Sequence, residues 1–443
     1  MVDLTAESAE VLATLIRHNT VNPPGNERAA IEYLDAYLTA AGFRTVQLAA
    51  EPERPNLVAT LAAEGDAGGP VLGLLSHVDT VLANPEEWRR DPWSGEIDEH
   101  GYLWGRGALD MKSQTAAEVV AAATLAREGW RPARGALRVI VVSDEETGGE
   151  IGARWICENH PDAVRCDYLL NEGAGATFEL GGRRRYGVCC GEKGIFRFLL
   201  TARGRAGHAS LPRNGENALL KLAPVLTRLG AAQPSYRLTE PPRELLAALT
   251  GLDAAQIDET TAAAAVAALT HEHPDLPALL EPMLGVTLAP TMAHASDKIN
   301  VIPSRATLKV DCRVPPGLGE EAALAALHEV LGDSADLVEI SFTEQVYGYL
   351  SPVHSPLMET IERWLAAEDP EASTVPVLLP GYSDSSWFRR AFPDLIAYGF
   401  FPHRHMPITE VAPLVHSADE RIDVRDLTYA TRFFIAAARD LLG

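Results

Sequence analysis

Leu137-Arg138-Val139-Ile140-Val141-Val142-Ser143-Asp144-Glu145-Glu146-Thr147-Gly148-Gly149 carries four consecutive apolar residues straight into three acids and a pair of glycines. A short apolar run without alternation is how a strand buried on both faces reads, as in a parallel sheet covered by helices. The pattern recurs twice. Val71 to Ser76 leads into His77-Val78-Asp79, and Tyr168 to Asn171 leads into Glu172-Gly173. Between these runs, Asp110 to Glu128 has helical character and stops at Gly129. Upstream, Asn26 is placed to cap a helix with Ile31, Leu34 and Leu38 on one face that ends at Gly42, and Leu57 to Leu61 reads as a short strand. Strand and helix in alternation imply an α/β fold with a mostly parallel central sheet. In such sheets ligands bind beyond the carboxyl ends of the strands, so the acids and histidine that follow each run are expected to converge.

The chain is 443 residues long, enough for two or three domains. Its composition changes near Lys193. Ile195 to Ala202, Thr307 to Arg313 and Asp336 to Phe342 read as strands, while Asn217 to Leu229 and Glu320 to Leu331 read as helices, together an inserted α+β domain. Residues from about Pro234 to Pro290 are Ala/Leu-rich and helical in pattern, punctuated by Pro241-Pro242 and Pro274. The α/β signal returns after Tyr347, with helices near Pro356 to Ala367 and Leu427 to Leu441. The expected division is a first catalytic part over 1–190, an inserted domain over 191–346 and a second catalytic part over 347–443.

With 61 acidic against 38 basic side chains, a formal net charge of -23 argues against nucleic acid and anionic membrane surfaces as partners. Met1 to Thr20 has Val11, Leu12, Leu15 and Ile16 at helical spacing and no basic start or long apolar stretch, so it does not read as a signal peptide. No run reaches the length of a membrane span, and a soluble, cytoplasmic protein is expected. The five cysteines include an adjacent pair and no C-x-x-C spacing, which points to core packing rather than disulfides or thiolate zinc.

The residues after the strands have the chemistry of a metal site. In His77-x-Asp79 an imidazole can bind a metal while the carboxylate holds its other N–H. Asp110, in Gly105-Arg106-Gly107-Ala108-Leu109-Asp110-Met111-Lys112, either caps the following helix or bridges two cations with its two oxygens. Glu145 and Glu146 are either solvated surface acids or a ligand beside a proton acceptor; the buried strand leading into them favours the second. Glu172 and His416 complete a nitrogen and oxygen donor set without sulfur, which zinc accepts.

Five segments in order, Ser76-His77-Val78-Asp79-Thr80, Gly105 to Lys112, Asp144 to Gly149, Asn171-Glu172-Gly173 and His416-Ser417, resemble the zinc metallopeptidase family of acetylornithine deacetylase, succinyl-diaminopimelate desuccinylase, aminoacylase and glutamate carboxypeptidase. The resemblance spans nearly the whole chain. It implies a zinc-peptidase-like catalytic domain with an inserted lid and dimerisation domain, hence a homodimer, and two zinc ions per subunit, replaceable by cobalt or manganese. It places one ion on His77, Asp110 and Glu172 and the other on Asp110, Glu146 and His416. Asp79 would orient His77, and Glu145 would be the general base on a metal-bridging hydroxide that attacks the amide carbon. His208 in Gly207-His208-Ala209-Ser210 would hold the oxyanion; Arg313, Asn300, Gly381 and Ser383 would meet the substrate carboxylate. Arg313 has a structural alternative, a salt bridge to Asp311. Tyr382 departs from the family, where many members have a second glycine. His403-Arg404-His405 reads as a loop with two solvated histidines.

The expected reaction is therefore cleavage of the amide bond of a small N-acyl amino acid, with a metallo-dipeptidase or carboxypeptidase as the alternative. The catalytic motifs do not separate these. A non-catalytic amino-acid- or peptide-binding relative would have lost Glu145 or a ligand, and all are present. The helical insert is the main departure from shorter family members, and its placement decides whether the inserted domain has a free edge for dimerisation.

Overall fold

The computed structural model describes residues 3–66, 68–180, 182–272 and 276–443. The chain divides into two compact units. The first comprises residues 1–190, 351–377 and 383–443, and the second residues 191–350 and 378–382.

The first unit is built on a mixed sheet whose middle is parallel. Ala136–Val142, Val71–His77, Tyr168–Asn171 and Ile396–Gly399 lie side by side in that order, each parallel to its neighbour. Asn56–Ala62 and Arg44–Leu48 extend one side antiparallel. The parallel strands are the ones expected from apolar runs, and their residues are almost all buried. Asn56–Ala62 contains the short strand expected over Leu57 to Leu61, whereas Ile396–Gly399 and the edge strand Arg44–Leu48 are too short or too polar to give that signal. One face of the sheet is covered by Leu4–Arg17, Arg28–Ala40, Lys112–Arg127, Pro356–Glu368 and Val424–Leu442, whose apolar stripes form the main core. The other face carries the helices Ala153–Asn159 and Ser385–Ala391, with Ile156, Phe388 and Phe392 in a second core.

Several local expectations change. The residue before helix Arg28–Ala40 is Glu27, not Asn26, and its side chain makes no capping bond but accepts from Arg54. His403 opens the strand His403–Pro407 and is buried, with Nδ1 3.7 Å from an Asp426 carboxylate, so only His405 of that pair is solvated. All five cysteines are buried and unbridged.

The second unit is an antiparallel sheet in the order Ser235–Tyr236, Gly285–His294, Arg305–Val314, Gly194–Arg203 and Glu339–Val346. Helices Ala218–Gly230, with Asn217 as its cap, and Glu320–Leu331 bury Leu222, Val225, Ala326 and Leu327 against it. The Ala/Leu-rich segment forms helices Glu240–Thr250, Glu259–Glu272 and Leu276–Leu280. They have their own small core of Leu246, Ile257, Ala262, Val266 and Leu284. The helical pattern stops before Pro290, because Gly285–His294 is already a strand of the sheet. No helix among the described residues is long and apolar enough to cross a membrane.

Candidate metal centre

Three adjacent parallel strands end at one rim of the first unit. His77 is the last residue of the middle strand. Glu145 and Glu146 follow its neighbour on one side and Glu172 its neighbour on the other. Parallel pairing thus brings residues nearly a hundred positions apart to one place. His77 Nε2 lies 3.8 Å from Glu172 Oε2, 3.9 Å from Glu145 Oε2 and 3.3 Å from Asp110 Oδ1. On the other side of Asp110, Oδ2 is 2.9 Å from His416 Nε2, which is 3.2 Å from Glu146 Oε2.

Asp110 is not a helix cap. The cap position of Lys112–Arg127 is Met111, without a side-chain hydrogen bond, and the two Asp110 oxygens face two different histidines. Glu145 and Glu146 diverge because the chain turns: Asp144 adopts a left-handed conformation, φ 75°, and residues Glu145–Thr147 form a single tight turn. The Asp79 carboxylate holds that turn, accepting from the backbone N–H of Glu145 at 3.1 Å and of Glu146 at 3.2 Å. His77 Nδ1 is nearer to the Asp79 carbonyl, at 3.0 Å, than to its carboxylate, at 3.5 Å. A carbonyl only accepts, so Nδ1 carries a hydrogen, and Nε2 faces the cluster.

His77 Nε2 and Glu146 Oε1 are buried with no hydrogen-bond donor or acceptor serving them among the described residues. Ligand atoms of His77, Glu145 and Glu172 lie within 4.8 Å of one another, as do those of His77, Asp110 and Glu146. The protonation behaviour of the metal-free cluster shows the same crowding of charge. Burial, then the Glu172 carboxylate, hold Glu145 well above the ordinary range; burial and then Asp110 push Glu172 up to about 7. Burial pulls on His77, but the carboxylates of Asp110, Asp79 and Glu172 outweigh it and keep it charged well above its usual range. Asp110, then Glu146, push His416 up to about 10. Carboxylates this close need cations between them, and orphaned nitrogen and oxygen atoms without sulfur fit divalent metal ions.

Comparison with known proteins decides the family. The model of peptidase family M20/M25/M40 matches residues 73–440. The chain belongs to this family. It is a metal-dependent amidohydrolase/peptidase of α/β class. A succinyl-diaminopimelate desuccinylase of Cereibacter sphaeroides is 27% identical over 438 residues, covering 97% of this chain and 97% of the relative. The fold is shared with an M20 metallo-carboxypeptidase of Sulfolobus solfataricus (TM-score 0.72, 18% identity, 98% and 99% of the two chains). It is also shared with a dinuclear metal-binding M20 peptidase of Bacillus subtilis (TM-score 0.60, 14% identity, 99% and 98%).

The other expected residues are distributed over both units. Ser383 is buried in the first. His208, Asn300, Arg313 and Gly381 belong to the second. There, His208 is exposed in a two-residue strand paired with Val301–Ile302, its Nδ1 2.7 Å from Ser210 Oγ. Asn300 is exposed, with its carbonyl accepting from Ala209 N–H. Arg313 makes the salt bridge to Asp311, Nε to Oδ1 at 2.7 Å, yet its buried Nη1 has no acceptor among the described residues. A side chain at Gly381 would meet only ordinary contact, 3.8 Å from Leu379 Cγ, so its backbone does not demand glycine.

Sequence reasoning passed over two residues beside the cluster. Asn22 Nδ2 lies within hydrogen-bond reach of Asp79, Asp144 and Thr147, tying the His77 and Glu145 segments together. Its only sequence signal is a turn, Asn22-Pro23-Pro24. Asp384 is buried with both carboxylate oxygens unpartnered among the described residues, and burial holds it well above the ordinary acid range.

Proposed function

We propose that the protein hydrolyses the amide bond of a small N-acyl amino acid bearing a free carboxylate. The observation that carries this reading is the Asp110 carboxylate, whose oxygens face His77 and His416 separately within a ring of three further carboxylates. One divalent ion would be held by His77, Asp110 and Glu172, the other by Asp110, Glu146 and His416, with Asp79 fixing the His77 ring and the Glu145–Glu146 turn. When bound, the ion pair supplies an activated water and positive charge against the developing oxyanion. Zinc, cobalt and manganese all suit this donor set.

Glu145 is the proton carrier. Its carboxylate lies beside the ligands, and in the reading proposed here it accepts a proton from the attacking water and delivers it to the leaving nitrogen. Arg313 receives the substrate carboxylate, a role supported by its unused buried Nη1, and His208 donates to the oxyanion. Asn300, Gly381 and Ser383 complete the substrate contacts. The nearly full-length similarity to a desuccinylase supports an N-acyl substrate over a dipeptide or a longer peptide.

The subunit is proposed to pair with a second copy through the second unit. Ser235–Tyr236 pairs with Gly285 and Val286 of the edge strand, and among the described residues no strand pairs with the exposed remainder of that edge. Pro290 and the adjoining bulge remove one donor there, which moves the expected contact to Met292 and to the exposed Leu219, Leu220 and Leu226.

The test is amine release from N-acetyl, N-succinyl and long-chain N-acyl amino acids, dipeptides and longer peptides, by metal-stripped protein with and without zinc or cobalt. Metal-dependent release from an N-acyl amino acid is expected. Release from dipeptides or from peptide C-termini alone would replace the proposal with a peptidase.

A further inference from the structure

Glu420 lies four residues after His416 and belongs to none of the roles above. Its carboxylate is fully buried, 0% exposed, and faces the segment that carries Asp110. Oε1 accepts from the backbone N–H of Leu109 at 2.6 Å and of Asp110 at 3.0 Å. Oε2 accepts from Arg106 Nη1 at 2.6 Å and from Gly107 N–H at 3.1 Å. The Glu420 carbonyl accepts from Gly105 N–H at 3.0 Å. Four donors thus occupy the four acceptor positions of one ionised carboxylate. Arg106 is itself buried, with Nη2 on the Leu82 carbonyl and its guanidinium over the Trp88 ring.

The segment between His416 and Glu420 is equally constrained. His416 and Asp419 are non-glycine residues in the left-handed region, φ 60° and 63°. The Asp419 carboxylate takes the backbone N–H and Nε of Arg89. Beyond Glu420, Arg421–Asp423 pairs antiparallel with Tyr102–Trp104. Asp110 has no cap role in its own helix, so the bond from its amide to Glu420 is what ties its backbone to the turn that presents His416.

We propose that Glu420 is a positioning residue that sets Asp110 and His416 at their 2.9 Å approach and thereby determines the affinity of the ion position shared by Asp110, Glu146 and His416. The inference rests on the reading of those three residues as ligands. A carboxylate is required because the amide of a glutamine, in either orientation, turns an NH2 toward two of the four donors. The other ion position, with His77 and Glu172 on strand ends, depends on Glu420 only through Asp110.

The test measures zinc binding by equilibrium dialysis and the visible spectrum of the cobalt form for wild type, Glu420→Gln and Arg106→Lys, alongside melting of each metal-free protein. Wild type is expected to take up two equivalents. Glu420→Gln should keep the first equivalent near wild-type affinity and weaken the second by about 10- to 100-fold, the usual effect of losing a residue that orients a ligand. Arg106→Lys should shift the same step less, and it carries the reading if Glu420→Gln does not fold. Wild-type affinity at both positions, or equal weakening of both, overturns the inference. A wild type that binds fewer than two equivalents overturns the ligand reading itself and the inference with it.

Discussion

Glu145 and Glu146 are neighbours in sequence with different work proposed for them, and the physical cause is the turn that Asp79 pins. Glu146 Oε2 reaches His416, whereas Glu145 Oε2 lies toward His77 and Glu172 without a hydrogen bond to either. Replacing Glu145 by Gln should therefore lower kcat by about 10²- to 10⁴-fold while both metal equivalents remain bound, measured by steady-state rates together with metal analysis. Loss of metal along with activity would make Glu145 a ligand instead. Asp79→Asn should act differently. It leaves the carbonyl that orients His77 but weakens the acceptor for the Glu145 and Glu146 amides, so metal affinity should fall about 10- to 100-fold, read by competition with a chelating dye. At this scale His77, Glu145, Glu146 and Glu172 stood out in the sequence because each lies at the end of a buried strand, and Asp110 because it sits in a glycine-rich loop, whereas His416 has no local signal of that kind and came from the family resemblance. Asn22, Asp384 and Glu420 were harder to read: their importance lies in the distant backbone and side-chain groups they meet, and local spacing carries none of that.

Secondary-structure elements explain why some expectations failed. The apolar runs marked the parallel strands because those strands are covered on both faces, so periodicity and burial coincide. Ile396–Gly399 and His403–Pro407 are short and bordered by aromatic and polar residues, so nothing separates them from loop. The helical pattern over 234–290 ran too far because Gly285–His294, an edge strand with most of its residues exposed, lacks the alternation of a half-buried strand. Its neighbour provides a test. Lys193 is buried against the second sheet, its Nζ donating to the Pro282 carbonyl at 2.8 Å and lying 3.3 Å from Thr287 Oγ1, and burial lowers its pKa from 10.5 to about 7. Between those values the unfolded chain holds a proton that the folded chain has released, so stability rises with pH there. Lys193→Met removes this dependence. In urea titrations from pH 7 to 10, the stability of the variant relative to wild type should decline as pH rises, by up to about 1.4 kcal/mol per pH unit. A difference that does not change with pH would mean the amine is not desolvated.

For the molecule as a whole, an acidic chain gathers many of its most costly charges at one rim, where cations compensate them. Metal removal should therefore make stability pH-dependent. In stripped protein Glu172, raised from 4.5 to about 7, binds a proton that the unfolded chain has lost, so stability is greatest below about pH 4.5 for this group and is lost as pH rises through 7. Zinc should reverse the trend, because binding requires deprotonated ligands and strengthens as pH rises; calorimetric melting with and without metal checks the sign. The proposed pairing of subunits belongs to this scale too. Sedimentation should give a dimer that Leu220→Glu converts to a monomer with an unchanged far-ultraviolet circular dichroism spectrum. The α/β class and the family were legible in the five ordered segments, whereas how the insert meets the second sheet was not, because strand pairing between 235–236 and 285–286 has no local sequence signal. The most direct test of the central claim is a titration of metal-stripped protein with zinc, following both bound metal and the initial rate of N-acyl amino acid cleavage. The account predicts two equivalents per chain, with activity appearing as they bind and the equivalent assigned to His77, Asp110 and Glu172 lost in His77→Ala. Full activity without metal, or two equivalents taken up unchanged by His77→Ala, would contradict it.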